Sequence, residues 1–122
     1  MKNSGRAMRL SVFVGEGDLW HHKPLYTEIV HRAHQAGLAG STVLRGVEGY
    51  GVTSQIHTPH LFRLSNHLPL LILIVDDEDK IRSFIPQLDE LDISGVVAID
   101  EVEMVRYVGS ECPHHHWHIQ RD

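Results

Sequence analysis

Apolar residues alternate with Arg9 and Ser11 over residues 8–14, the pattern of a strand with one face on a core, and Phe13 breaks the alternation. Gly15 and Gly17 end that strand. Leu25, Ile29, Ala33 and Ala36 then recur at helical spacing, with Glu28, Arg32 and Gln35 facing away. Pro24 stands where a first-turn proline is tolerated, and Gly37 is the expected stop. The β-branched residues of 42–47 predict a second strand that runs into Gly46, Gly49 and Gly51 around Tyr50. Residues 52–66 show no period and predict a long loop or a short hairpin.

The continuous apolar run 68–75 predicts a central strand closed by Asp76 and Asp77, either of which can cap a second helix. In that helix Ile81, Phe84, Ile85, Leu88 and Leu91 form the buried stripe, and Pro86 is expected to bend or split it. Residues 96–99 and 102–108 predict a last strand pair, or one long strand broken at Asp100. The order βαβ, loop, βαβ predicts an α+β, ferredoxin-like (split βαβ) fold, a four-stranded antiparallel sheet with both helices on one face. Phe13, Val43, Leu71 and Leu73 leave apolar side chains on both sides of the sheet, which predicts that the open face is covered by self-association. Three segments are expected: a flexible N-terminus over 1–7, the folded domain over 8–109, and a His-rich tail over 110–122.

Composition narrows the function more than it adds to the fold. With 122 residues, 42% hydrophobic and 22% charged, the chain reads as a single globular domain. A formal net charge of −5 gives no basic field for a phosphate backbone, which argues against nucleic acid as a partner. The longest apolar run is far shorter than a membrane span, no apolar signal segment follows the N-terminus, and the lone Cys112 has no partner for an internal disulfide. A cytoplasmic protein is the expectation.

Gly15-Glu16, Trp20 with Lys23-Pro24-Leu25-Tyr26, residues 36–40 (AGLAG), 42–46 (TVLRG), Gly49-Tyr50-Gly51 and Leu68-Pro69 together resemble the PII-like family catalogued as domain of unknown function 190. The resemblance covers residues 8–108, and Gly40-Ser41-Thr42-Val43 with Glu48-Gly49-Tyr50-Gly51 looks like the base of the long T-loop of PII signal-transduction proteins. It implies a homotrimer with the sheets facing inward and clefts between subunits that bind an adenine nucleotide or similar small anionic effector. It implies, too, that residues 52–66 relay the bound state to a protein partner, a membrane transporter among the candidates. The ligand positions it carries over are Gly49 and Gly51 at the loop base, Gly95 in a B-loop and Arg106 on the last strand. Glycines let backbone N–H groups approach phosphate, and arginine adds a charge-assisted contact. The chain departs from PII proteins in two places. Residues 91–97 form a shorter B-loop with one glycine and no lysine, and residues 52–66 lack the tyrosine that some PII proteins modify.

Tyr50, Arg45 and Lys23 complete the candidate ligand set, although Trp20, Lys23 and Tyr26 at a helix start fit core-edge packing at least as well as a ligand platform. Arg106 beside Glu103 and Asp100 also fits a plain surface ion pair. The 11 histidines raise a different chemistry. His31 and His34 are spaced i, i+3, and the tail carries Cys112, His114, His115, His116 and His118, donors suited to an adventitious divalent metal. The alternative reading is thus a metal-homeostasis protein of CutA-like architecture. No nucleophile, base and orienting group fall into a recognisable set, so an enzyme is not expected.

Overall fold

The computed structural model describes residues 2–50 and 68–109, and both the 52–66 loop and the His-rich tail lie outside the described residues. The elements are β1 (Lys2–Gly15), β2 (Leu19–Trp20), β3 (Lys23–Pro24), α1 (Leu25–Gln35), β4 (Thr42–Arg45), β5 (Pro69–Asp76), α2 (Glu78–Glu90) and β6 (Val96–Tyr107). The order β4-β5-β1-β6, antiparallel throughout, is the ferredoxin-like arrangement expected from the chain order.

One face of the sheet is built by the even positions Met8, Leu10, Val12 and Val14 of β1 and Leu70, Ile72 and Ile74 of β5. Leu25, Ile29 and Ala33 of α1 and Ile81, Phe84 and Leu88 of α2 close over it. Each fully buried Leu, Ile, Val, Phe or Met side chain among these contributes about 1.5–3 kcal/mol. Ala36 departs from the expected stripe: it caps α1 and is exposed, and Leu38 takes the buried place after the turn at Gly37, whose φ is +81°.

Among the described residues no element covers the opposite face. Phe13 and Leu44 are 45% and 48% exposed, Val96, paired with Phe13, is 57% exposed, and Leu71, Leu73 and Val75 are half-buried between them. Arg9 and Asp100, cross-strand partners held by two hydrogen bonds of 3.1 and 2.7 Å, set a charged edge to this apolar surface.

Three elements differ from expectation. Residues 2–7 are no flexible N-terminus: they extend β1 and pair with Val102 to Tyr107, where a backbone ladder and the Arg6–Glu101 ion pair replace the missing apolar pattern. β6 runs unbroken through Asp100, because the carboxylate is satisfied across the ladder by Arg9. The chain also forms a two-residue hairpin, β2 with β3, whose turn residues His21 and His22 both have positive φ, +50° and +68°. A type I′ turn usually carries Asn or Gly there, so His21 and His22 carry no hairpin signal.

α2 passes through Pro86 without interruption. The proline lies on the exposed side of the helix, as does Arg82, whose carbonyl receives no N–H from it. An interior proline costs about 3 kcal/mol against alanine, partly offset by its stiffening of the unfolded chain. Pro86→Ala is therefore expected to raise stability by about 1–3 kcal/mol. Urea unfolding checks this, and an unchanged midpoint would mean that the packing of α2 depends on the proline.

Candidate functional site

At one end of the sheet the chain gathers the exits of β1 and β4, the entry of β5 and the start of β6. Arg45, the last residue of β4, pairs with Glu16 just past β1, and Glu16 N–H donates to the Leu68 carbonyl at 2.8 Å. Gly46 N–H donates to the Pro69 carbonyl at 2.8 Å, and a Cβ on Gly46 would stand 2.8 Å from Pro69 Cγ. Glycine is required there by close approach. Gly49 lies against the same proline, and Tyr50 is 70% exposed. Gly51 lies outside the described residues. Gly95 belongs to this end as well, but a Cβ there would collide with the Phe13 carbonyl oxygen, so the ladder alone demands that glycine.

A cavity of about 360 Å³ opens at the other end of the sheet, between the β1–β6 extension and the ends of the two helices. Arg6, Lys80 and Arg106 bring three cations to its wall, beside Gly37 and Ala39 from the turn after α1. Glu101 neutralises Arg6, and that hydrogen bond above all, then the charge of Glu101, holds the guanidinium above its ordinary pKa. Among the described residues Lys80 and Arg106 enter no ion pair, so the expected pairing of Arg106 with Glu103 or Asp100 does not form.

The cavity is framed by Asp76, 2% exposed. Its Oδ2 accepts from Ala39 N–H at 2.8 Å and its Oδ1 from Asp77 N–H at 2.7 Å. One buried carboxylate thus ties the α1–β4 turn to the head of α2. Nothing in the spacing of residues 76–77 distinguished this role from simple helix capping, and Asp77, the N-cap, makes no side-chain cap bond.

The candidate residues consequently fall into two groups within a chain. Ten residues of β6 separate Val96 from Arg106, roughly 33 Å at the rise of a strand. Lys23 belongs to neither group. It is exposed on the β2–β3 hairpin opposite Trp20, which packs against the core, stacks on His21 at 4.1 Å and lies under the Arg32 guanidinium at 5.1 Å. Arg32 also hydrogen-bonds Glu28 and Glu90 at 2.9 and 3.0 Å, so the Trp20 cluster has the contacts of a packing element that joins hairpin, α1 and α2. His31 and His34 are both on α1, and among the described residues no group of three or more His, Cys, Asp or Glu side chains is placed to hold a metal. His114, His115, His116 and His118 lie outside the described residues. Among the described residues no helix is long and apolar enough to cross a membrane.

Residues 7–104 match the DUF190 family, described as "Uncharacterized ACR". The chain belongs to this family. A UPF0166 protein of Aquifex aeolicus is 34% identical to this DUF190 chain over 96 residues, covering 79% of the chain and 90% of the relative. Among solved structures the chain is similar to CPII of Thiomonas intermedia K12, a nitrogen regulatory PII-like protein bound to ADP, AMP and bicarbonate, with a TM-score of 0.59 at 18% identity over 85% of this chain and 92% of that one. It is also similar, with a TM-score of 0.50 at 11% identity and 86% of each chain covered, to the divalent ion tolerance protein CutA1 of Ehrlichia chaffeensis. At these identities the likeness is one of fold, and the fold is PII-like.

Proposed function

We propose that this DUF190 chain is a PII-like regulatory subunit, non-enzymatic, that binds an adenine nucleotide in clefts between the copies of a homotrimer. The observation that carries the reading is the division of the site. Glycines in close backbone approach stand at one end of the sheet and unpaired cations at the other, roughly 33 Å apart along the strand. No ligand of nucleotide size spans both within one chain. A head-to-tail contact, in which the glycine end of one copy meets the Arg106 end of the next, joins them, and such heterologous contacts close into rings. The uncovered apolar face supports the same assembly, since a ring of three sheets facing inward buries it.

The phosphates then meet backbone N–H groups around Gly49 from one subunit and Arg106 and Lys80 from its neighbour. CPII, which shares the fold, was solved with ADP and AMP, which supports the choice of ligand class. Residues 52–66, between β4 and β5, are proposed to carry the bound state to a protein partner, with a membrane transporter among the candidates.

Calorimetric titration of the intact protein with ADP, ATP and AMP tests this. Binding is expected, and Arg106→Ala should weaken it by about tenfold to a hundredfold, the loss of a hydrogen bond to a charged group. Millimolar nucleotide without any heat or competition would overturn the reading.

A further inference from the structure

β1 outruns its neighbour on one side. β6 accompanies it from Lys2 to Phe13, whereas β5 stops at Asp76, opposite Met8, where the chain turns into α2. Residues 2–7 therefore form an open strand edge, roughly 20 Å long at the rise of a strand. In an antiparallel ladder every second residue directs both its N–H and its C=O to the same side. Half of residues 2–7 thus turn these groups away from β6, and among the described residues no strand meets them there. The cavity of about 360 Å³ occupies the place a longer β5 would have filled, with Ser4, Gly5 and Arg6 on the side of the open edge and Asp76 and Lys80 on the other. Its volume falls within the roughly 300–1,000 Å³ of small-molecule sites and exceeds what the phosphate oxygens at Lys80 and Arg106 require.

Gly5 points to a ligand independently. It stands inside β1 opposite Met104, its φ is not in the left-handed region, and a Cβ built on it would meet nothing within 4 Å. Neither a turn nor packing demands glycine there, in contrast to Gly46 and Gly95. A glycine inside a strand weakens it, and often marks a place where a ligand comes close to the backbone. We infer that the open edge of β1 at residues 2–7 reads the base of the bound adenine nucleotide, with Gly5 leaving room for the ring; this rests on the nucleotide reading and extends it to the part of the ligand that the cations do not hold. Adenine carries an amine donor beside ring-nitrogen acceptors, the complement of the C=O and N–H groups that alternate along a strand edge. The base pairs with that edge as an added strand would. Lys80 and Arg106 line the same cavity, so a phosphate held by them keeps the base within reach of the edge. A phosphate alone does not suit the edge, because it offers the carbonyls only acceptors.

ADP, IDP, whose base carries a carbonyl in place of the amine, and pyrophosphate are titrated against the wild-type protein and Gly5→Val, with the thermal midpoint measured for both. Wild-type protein is expected to bind ADP about tenfold to a hundredfold more tightly than IDP. In Gly5→Val the β-branched side chain suits a strand, so the midpoint holds or rises, while ADP affinity falls by about tenfold or more and pyrophosphate affinity is unchanged. Equal affinity for ADP and IDP, or ADP bound no more tightly than pyrophosphate, overturns the assignment of the base to this edge and leaves the nucleotide reading in place. Unchanged ADP affinity in a folded Gly5→Val, or a pyrophosphate affinity that falls as far as that of ADP, overturns it equally. Should the variant lose its fold, the ratio of ADP to IDP affinity in the wild-type protein decides alone. Wild-type protein that binds none of the three overturns both readings.

Discussion

Leu73→Glu is expected to yield a folded monomer that binds no adenine nucleotide. Leu73 is half-buried on the uncovered face of β5, opposite Ser11 of β1 and Thr42 of β4 and next in line to Leu71. In an isolated chain a glutamate there stands towards solvent, so the helix-covered core of Leu10, Ile72, Ile74 and Phe84 is untouched. In a ring whose sheets face inward, three carboxylates would be brought together in an apolar interior, each losing its hydration without a partner. That penalty is several kcal/mol per charge, enough to abolish assembly at micromolar concentration. Light scattering behind size exclusion gives the mass, and far-ultraviolet circular dichroism gives the fold. A variant that remains trimeric would show that the subunits do not meet through this face; a wild-type monomer would remove the reason for the divided site.

The fold was legible because its signals were redundant. The even-position alternation of β1 and the unbroken apolar run of β5 specify one face each, and the stripes of α1 and α2 have nowhere else to go than that face. Where the sequence misled, a long-range contact overrode a local signal. Asp100 reads as a strand breaker until Arg9 is placed across the ladder from it, and residues 2–7 read as a tail until β6 is seen to continue as far as Tyr107. Pro86 is tolerated at an exposed position of α2. His21 and His22 show the limit of turn chemistry, since nothing short of the Trp20 stack and the Leu25 N–H bond to the Asp18 carbonyl, at 2.9 Å, would have announced that hairpin.

The site was legible as a set of residue types and not as a geometry. Gly49 and Arg106 could be named from motif positions, but their opposite placement on the sheet could not, and the proposed contact between copies rests on that placement. Gly95 teaches a related point: its nearest obstacle is the Phe13 carbonyl, so its presence in the chain is explained by the ladder before any phosphate is invoked.

Asp76→Ala is expected to cost about 3 kcal/mol and to empty the cationic half of the site. The carboxylate accepts from two backbone donors, Ala39 N–H and Asp77 N–H, and at 2% exposure there is little room for water to replace it. Each donor left unsatisfied in a buried place costs about 1–3 kcal/mol, which sets the estimate. For a chain of this size the loss lowers Tm by roughly 10 °C. The functional effect follows from what those donors hold. Ala39 and Gly37 form one wall of the cavity, and Asp77 starts the helix that carries Lys80 into it, so releasing both loosens the turn and the cation together. Asp76→Asn keeps one acceptor and should recover about half of the loss in stability. Thermal scans with and without ADP separate the two consequences: a destabilised variant that still gains stability from ADP as the wild type does would confine Asp76 to the fold and take the α1–β4 turn out of the ligand site.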